Sequence, residues 1–509
     1  MFQCVRRLAS VARFAAFALL AQGLLTTEVG AIEPIRIGVS GPFTGGSSPM
    51  GLSMRNGIRL AAQEINAAGG ILGRPLRLIE RDDEARPERG AQVAQDLIGH
   101  EKIVAGLGIV NTGVALASQL LYQQAHVPMI TSAATGSIIT RQFLPPQYAD
   151  NYIFRVSAPD SLQAAMIVEE AVVRRHLRKL AILHDSTNYG QLGREDLERA
   201  LERHGIKPAA VERFNIRDVD MTPQLARARA SGAEAILTYG LGPELAHLAN
   251  GMVRIGWKVP LVGSWALNMP NFIDNAGPNA EGTRMPQTFI QEGNTPARQA
   301  FIDKYRKSFG VERIPVAPAA AQGYDSMLLL AAAIRQAKRT DGAALRNALE
   351  TLQERVEGIV MVYDQPFSRT DHEAIDSTRI LVIGEVRNRH VVFAYDEDRK
   401  RDGQHKRSRR KISLSASGRG FSPSPPSPPA VFFTCSPPTN NRRPPPFGRG
   451  RPLPHGIPPG RAGCALARLL AGSPYAPRHK KKICKCRAIR ISRIAQCENW
   501  FYIMKSRKL

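Results

Sequence analysis

The sequence predicts an α/β protein of two doubly wound parallel-sheet lobes, followed by a disordered basic C-terminal tail. Three observations carry this. Apolar strand cores alternate with amphipathic helical runs from Ile35 to Thr131, and the alternation restarts after Tyr152. The periodic pattern stops at Arg399, where Pro- and Arg-rich segments such as Ser422-Pro423-Ser424-Pro425-Pro426 begin. The charge divides at the same place. Residues 399–509 hold 26 of the 69 Lys and Arg but only Asp402 and Glu498 of the 44 acids.

The elements follow in order. Ile35–Ser40 reads as a buried strand, followed by a Gly/Pro/Ser loop from Gly41 to Gly51. A helix over Leu52–Ala67 stops at Gly69-Gly70. Strands at Leu76–Glu80, Ile103–Leu107 and Val127–Thr131 alternate with helices at Glu88–Gly99 and Ala115–Gln124. In the second series the strand cores are Lys179–His184, Ala235–Tyr239 and Leu261–Val262, with helices at about 161–175, 190–204 and 243–254. Two successive βαβ series imply two parallel sheets with helices on both faces. Pro296–Leu352 is mainly helical and includes the Ala-rich run Ala317–Ala337, and Gly358–Tyr363 and Arg379–Val386 are late strands.

Ahead of the body, Arg6, Arg7 and Arg13 precede an apolar run from Phe14 to Leu25, and Val29-Gly30-Ala31 supplies small residues at a cleavage position. This order predicts a signal peptide over 1–31, cleaved near Ala31, and a periplasmic mature protein. The run is shorter than the about 20 residues that span a bilayer. The chain's net charge of +25 points naively to nucleic acid, but the first 398 residues are nearly neutral, so no nucleic acid is expected on the folded body. Cys4 and the tail cysteines Cys435, Cys464, Cys484, Cys486 and Cys497 leave the body without a thiol, and no zinc spacing occurs. Gly41-Pro42-Phe43-Thr44-Gly45-Gly46 matches neither a P-loop nor a dinucleotide fingerprint. With no clustered histidines and no nucleophile motif, neither a cofactor, a metal nor a catalytic residue is expected.

Ile37-Gly38-Val39, Ser40-Gly41-Pro42, Gly57 and Glu64-Ile65-Asn66-Ala67-Ala68-Gly69-Gly70-Ile71-Leu72-Gly73 open a series of motifs. Asp82-Asp83, Asn111-Thr112-Gly113, Pro128-Met129-Ile130-Thr131-Ser132-Ala133-Ala134-Thr135, His184-Asp185, Asn188-Tyr189-Gly190, Ala280-Glu281-Gly282 and Tyr324-Asp325 continue it. In this order, over about Ile35–Tyr395, the chain resembles the branched-chain amino-acid (Leu/Ile/Val) periplasmic binding proteins of ABC transporters. The resemblance implies a type I periplasmic binding fold with three hinge segments, near Phe154-Arg155-Val156, Pro286-Gln287-Thr288 and Val362-Tyr363-Asp364. Lobe one would be 32–154 plus 286–358, lobe two 155–285 plus 359–396, and the tail 399–509, read as a non-native extension.

The resemblance also implies a pocket. Thr112 takes the place of the hydroxyl residue that binds a ligand α-carboxylate, although a plain helix cap is the alternative. Thr135 matches the threonine that bonds the head group, with the Ala133 carbonyl toward an ammonium; its alternative is a loop turn. Tyr189 matches a tyrosine that closes from the second lobe. Two positions depart from the pattern. Trp265 stands where amino-acid binders have the acid that neutralises the ammonium, and Met50 where some relatives have a first-loop tyrosine. Burying an ammonium without its carboxylate costs several kcal/mol, and a cation–π contact returns only about 0.5–2 kcal/mol. The expected ligand is therefore a small carboxylate or amide, with amino acids still admitted. The expected function is that of a monomeric, non-enzymatic solute receptor feeding an ABC permease in the inner membrane. An extracytoplasmic sensor on the same fold is the alternative, and polyanion binding through the tail a distant third.

Overall fold

The computed structural model describes residues 33–403. The leader, the cysteines and most of the basic tail lie outside them. The first series is β1 (Ile35–Gly41), α1 (Ser48–Ala67), β2 (Leu76–Asp82), α2 (Pro87–Gly99), β3 (Ala105–Gly108), α3 (Thr112–Gln124), β4 (Met129–Thr131) and β5 (Ile153–Arg155). Its strands form one sheet in the order β2-β1-β3-β4-β5. Every pair in it is parallel. Ile37, Val39, Leu107 and Ile130 are fully buried, as expected of strands covered by helices on both faces.

The second series begins with α4 (Asp160–Val168), which runs on into a π-helical turn, Glu169–Arg174. Next come β6 (Leu180–Asp185), α5 (Asn188–Glu202), β7 (Ala210–Phe214), α6 (Thr222–Ala230), β8 (Ala235–Tyr239) and α7 (Gly242–Arg254). It closes with β9 (Leu261–Gly263), the 3-10 turn Trp265–Asn268, α8 (Pro270–Ala276) and β10 (Arg284–Gln287). The chain then builds α9 (Pro296–Phe309), α10 (Ala317–Ala337) and α11 (Gly342–Glu350), then β11 (Val356–Glu357) and β12 (Val362–Tyr363). β13 (Val382–Arg387), β14 (His390–Phe393) and α12 (Asp396–Gly403) follow. The second sheet has the order β14-β13-β10-β9-β8-β6-β7.

Several expectations are corrected. The second sheet is mixed: β13 runs antiparallel to both β10 and β14. Pro286 and Gln287 are strand residues in register with Ile383 and Val382, so the second sheet extends through Gln287. β7 was missed because only one face of it is buried, and Val211 is exposed. The first helix starts at Ser48, since Pro49 in its first turn needs no N–H acceptor, and the loop before it ends at Ser47. The strand expected over Gly358–Tyr363 is a hairpin of β11 and β12, folded around one side chain. Asp325 accepts from Ile359 N at 2.7 Å, Val360 N at 2.9 Å and the Tyr363 hydroxyl at 2.9 Å. The body also continues past Arg399. Asp398 Oδ2 accepts from Ile383 N at 3.0 Å, and Asp402 pairs with Arg298, which anchors α12 through Gly403.

α10 crosses α1 over the first sheet at a distance that glycine sets. A Cβ at Gly57 would lie 2.0 Å from Ala320 O, and one at Gly323 would lie 2.2 Å from Met54 O. Each glycine lets the other helix's backbone approach. Gly57→Ala is therefore expected to destabilise the fold by about 1–3 kcal/mol through overpacking. Urea unfolding reads this directly, and an unchanged midpoint would refute the close-packing account.

Candidate functional site

Loops from the carboxyl ends of the strands in the two sheets meet each other. Asn271 Nδ2, at the start of α8, donates to Gly46 O in the loop after β1 at 2.7 Å. Ser137 Oγ, after β4, donates to Asp196 Oδ2 on α5 at 2.8 Å. Gly113 lies against Asn188, so the starts of α3 and α5 are in contact. The lobes are thus closed on one another, with the loops that follow parallel strands enclosed between them.

Thr112 is buried and is the first residue of α3, behind Asn111 at the cap. It does not cap the helix, and its Oγ1 is buried with no hydrogen-bond partner among the described residues. Gly136 abuts it: a Cβ there would stand 2.5 Å from Thr112 Cγ2. The loop carrying Gly136 begins at Ser132, after β4, and includes Ala133 and Thr135, both buried. Thr135 O accepts from Asp160 N at 2.8 Å, and the Thr135 hydroxyl acts to lower the pKa of the Asp160 carboxyl.

From the second lobe, the Tyr189 hydroxyl donates to Ser264 Oγ at 2.6 Å. The Tyr189 ring meets Tyr239 edge-on at 5.3 Å, and Tyr239 OH donates to Asp160 O at 3.3 Å. Trp265 N donates to Gln163 Oε1 at 3.1 Å, and Gln163 Nε2 lies 3.5 Å from Asp160 Oδ1. The loop after β4, which carries Ala133 and Thr135, thus meets Thr112 through Gly136 and Asp160 through Thr135 O, while Tyr189 and Trp265 connect to Asp160 through Tyr239 and Gln163. Met50 stands apart as a core residue in the first turn of α1. Ser47, just ahead of that helix, reaches toward the site instead, with Ser47 Oγ accepting from Asn111 Nδ2 at 3.2 Å.

Asp160 is the residue that sequence reasoning missed. Pro159-Asp160 looks like an ordinary helix start, and an acid in a first turn is a routine complement to the helix dipole. The structure buries it completely and leaves Oδ2 with no partner among the described residues. Burial, reinforced by Asp196, pushes its pKa up to about 8 against the opposing effects of Thr135 and Arg155. Asp185 at the end of β6 is also buried, which raises its pKa to about 6. Among the described residues there is no group of three side chains able to hold a metal ion. The polar groups gathered here are a hydroxyl at a helix start and a buried carboxyl, with Tyr239 and, through Gln163, Trp265 bonded on the carboxyl's side.

Comparison with known proteins gives a consistent picture. The model of the family described as periplasmic binding protein matches residues 34–387. An amino acid binding protein of Pseudomonas aeruginosa is 28% identical over 291 residues, 57% of this chain and 76% of that protein. A Leu/Ile/Val-binding protein homolog of Brucella melitensis is 26% identical over 314 residues, 62% of this chain and 82% of that protein. The crystal structure of a periplasmic binding protein type 1 from Bordetella pertussis Tohama I superposes with a TM-score of 0.64 at 25% identity, covering 71% of this chain and 99% of that one.

The state of Asp160 makes a solute's charge readable. A cationic group needs the carboxylate, so its affinity should rise about tenfold per pH unit below about pH 8 and then level off. A solute that accepts the carboxyl proton should instead weaken above that pH. Asp160→Asn should abolish either dependence, as measured by calorimetric titration from pH 6 to 9. The same shift bears on the empty protein. A folded pKa above the unfolded value means that stability declines as pH rises from about 4 to about 8. Asp160→Asn should therefore melt higher than the wild type at pH 9; a lower melting point would refute the assignment.

Proposed function

The chain belongs to the periplasmic binding protein family, and from that premise we propose that it is the exported solute receptor of an ABC-type importer, closing two lobes on a small carboxylate-bearing solute. One observation carries this reading: the Thr112 hydroxyl, buried and partnerless among the described residues, at the start of α3. A helix start offers free N–H groups and the positive end of the dipole. A carboxylate there gains charge-assisted bonds in an enclosed space, where they count for more than in water.

Trp265 and Tyr189 line the body of the solute. With its backbone held by Gln163, Trp265 offers its ring to an apolar or aromatic group. At the far end Asp160 supplies the acid that position 265 lacks, so an α-amino group is admitted at the cost of one proton released. Amino acids of the kind named for the Pseudomonas and Brucella relatives and aromatic acids both fit this chemistry. The lobes hinge where the chain passes between the sheets, after Arg155, after Gln287 and through residues 364–377. The protein acts as a monomer without catalysis, and its closed form docks on a permease. Its family is exported, and no helix among the described residues is long and apolar enough to cross a membrane.

Thermal-shift titration of the purified protein with L-leucine and with benzoate tests this. A solute at a hundred times its Kd should stabilise the fold by about 2.7 kcal/mol. Trp265→Ala should weaken the better-bound of the two about tenfold, since aromatic contacts contribute roughly 0.5–1.5 kcal/mol beyond the area they bury. If neither these nor other small carboxylates shift the melting point, the reading fails.

A further inference from the structure

We infer that Arg155 is a positioning residue for solute capture: its guanidinium holds the Ala133–Gly136 loop in the shape that presents Thr135 to the cleft. The inference rests on the reading above that this loop faces the solute. Arg155 is the last residue of β5, where the chain leaves the first sheet, and it is fully buried despite its charge. Its backbone is fastened to the third connection between the lobes: Arg155 N donates to His372 O at 3.0 Å, and Ala374 N donates to Arg155 O at 2.9 Å. Its side chain turns back. Nε donates to Glu373 Oε2 at 2.7 Å, Nη2 pairs with Glu373 Oε1, and Nη1 donates to Gly136 O at 2.7 Å.

Three separate segments therefore converge on one planar cation. Gly136 O also accepts from Ile139 N at 3.1 Å, so the turn over 136–139 closes on the guanidinium. Thr140, at the end of that turn, bonds Glu373 through its hydroxyl. The neighbouring Thr135 O accepts from Asp160 N at 2.8 Å, and Gly136 rests on Thr112. The loop that touches both Thr112 and Asp160 is thus tied from behind by a fully buried cation.

A buried ion pair by itself is weak grounds for a stabilising role, because apolar groups of similar volume often serve as well. What an apolar replacement cannot reproduce is the donor to Gly136 O. Lysine cannot reproduce it either, since one ammonium lacks the planar fork that serves Glu373 and the carbonyl together. Position 155 thus separates the stability of the hinge from the aim of the loop.

The experiment uses the full purified chain. Hydrogen–deuterium exchange without solute is followed over peptides covering residues 133–139 in wild type, Arg155→Lys and the double variant Arg155→Met/Glu373→Met. Affinities for L-leucine and benzoate are measured alongside. The expected result is a cooperative melt near that of the wild type for the double variant, with exchange at 133–139 at least tenfold faster in both variants. Affinity for whichever probe binds should fall at least tenfold. Exchange within twofold of wild type in the folded variants overturns the inference. If the double variant does not fold, Arg155→Lys decides by the same exchange criterion. If neither probe binds the wild type, the proposed solute class fails, and the exchange result still decides the role of Arg155.

Discussion

The carboxyl ends of the parallel strands in two separate sheets are held facing each other, and the rest of the molecule depends on that constraint. Loops that leave parallel strands at those ends carry unpaired backbone donors and begin helices. In a single-sheet protein they border solvent. Here they are enclosed by the opposite lobe, and contacts such as Asn271 to Gly46 and Ser137 to Asp196 bridge the two layers. The loop edges thereby lose water, and polar groups among them interact more strongly than they would in solvent.

Buried acids show how the fold separates support from recognition. Asp325 and Asp160 are both fully buried, and burial raises the pKa of each. Asp325 spends its oxygens on two backbone amides and a tyrosine, and so holds the β11–β12 hairpin. Asp160 keeps one oxygen without a partner among the described residues, as does Thr112. Leaving a buried polar group unmatched costs about 1–3 kcal/mol. At the hinge, Arg155 is buried with each of its described bonds directed at chain segments.

Much of the fold was legible because its signals are local. Strand cores such as Ile35–Ser40, which the structure extends to Gly41, and the helix Ala317–Ala337 stand out by apolar periodicity, the latter with the same bounds in sequence and structure. The amphipathic edge strand β7, the Pro-containing β10 and the antiparallel return of β13 were not legible. Their identity comes from the strand each pairs with, about 30 residues away for β7 and about 100 for β10 and β13, and such pairing leaves no periodic trace. At the site, Thr112, Thr135 and Tyr189 could be singled out from motif resemblance. Asp160 could not, because one acid at a helix start has the same local pattern whether it is solvated or sealed.

The sequence by itself determined the body's α/β class, the near-neutrality of that body beside a strongly basic end, and the residue types available to grip a solute. Those follow from composition and short-range periodicity, which act within a few turns of chain. The tertiary structure alone decided which polar groups lose water and which keep an oxygen without a partner among the described residues, as Asp160 does. Burial and hydrogen-bond satisfaction are properties of surfaces brought together from distant segments, so no window of sequence contains them.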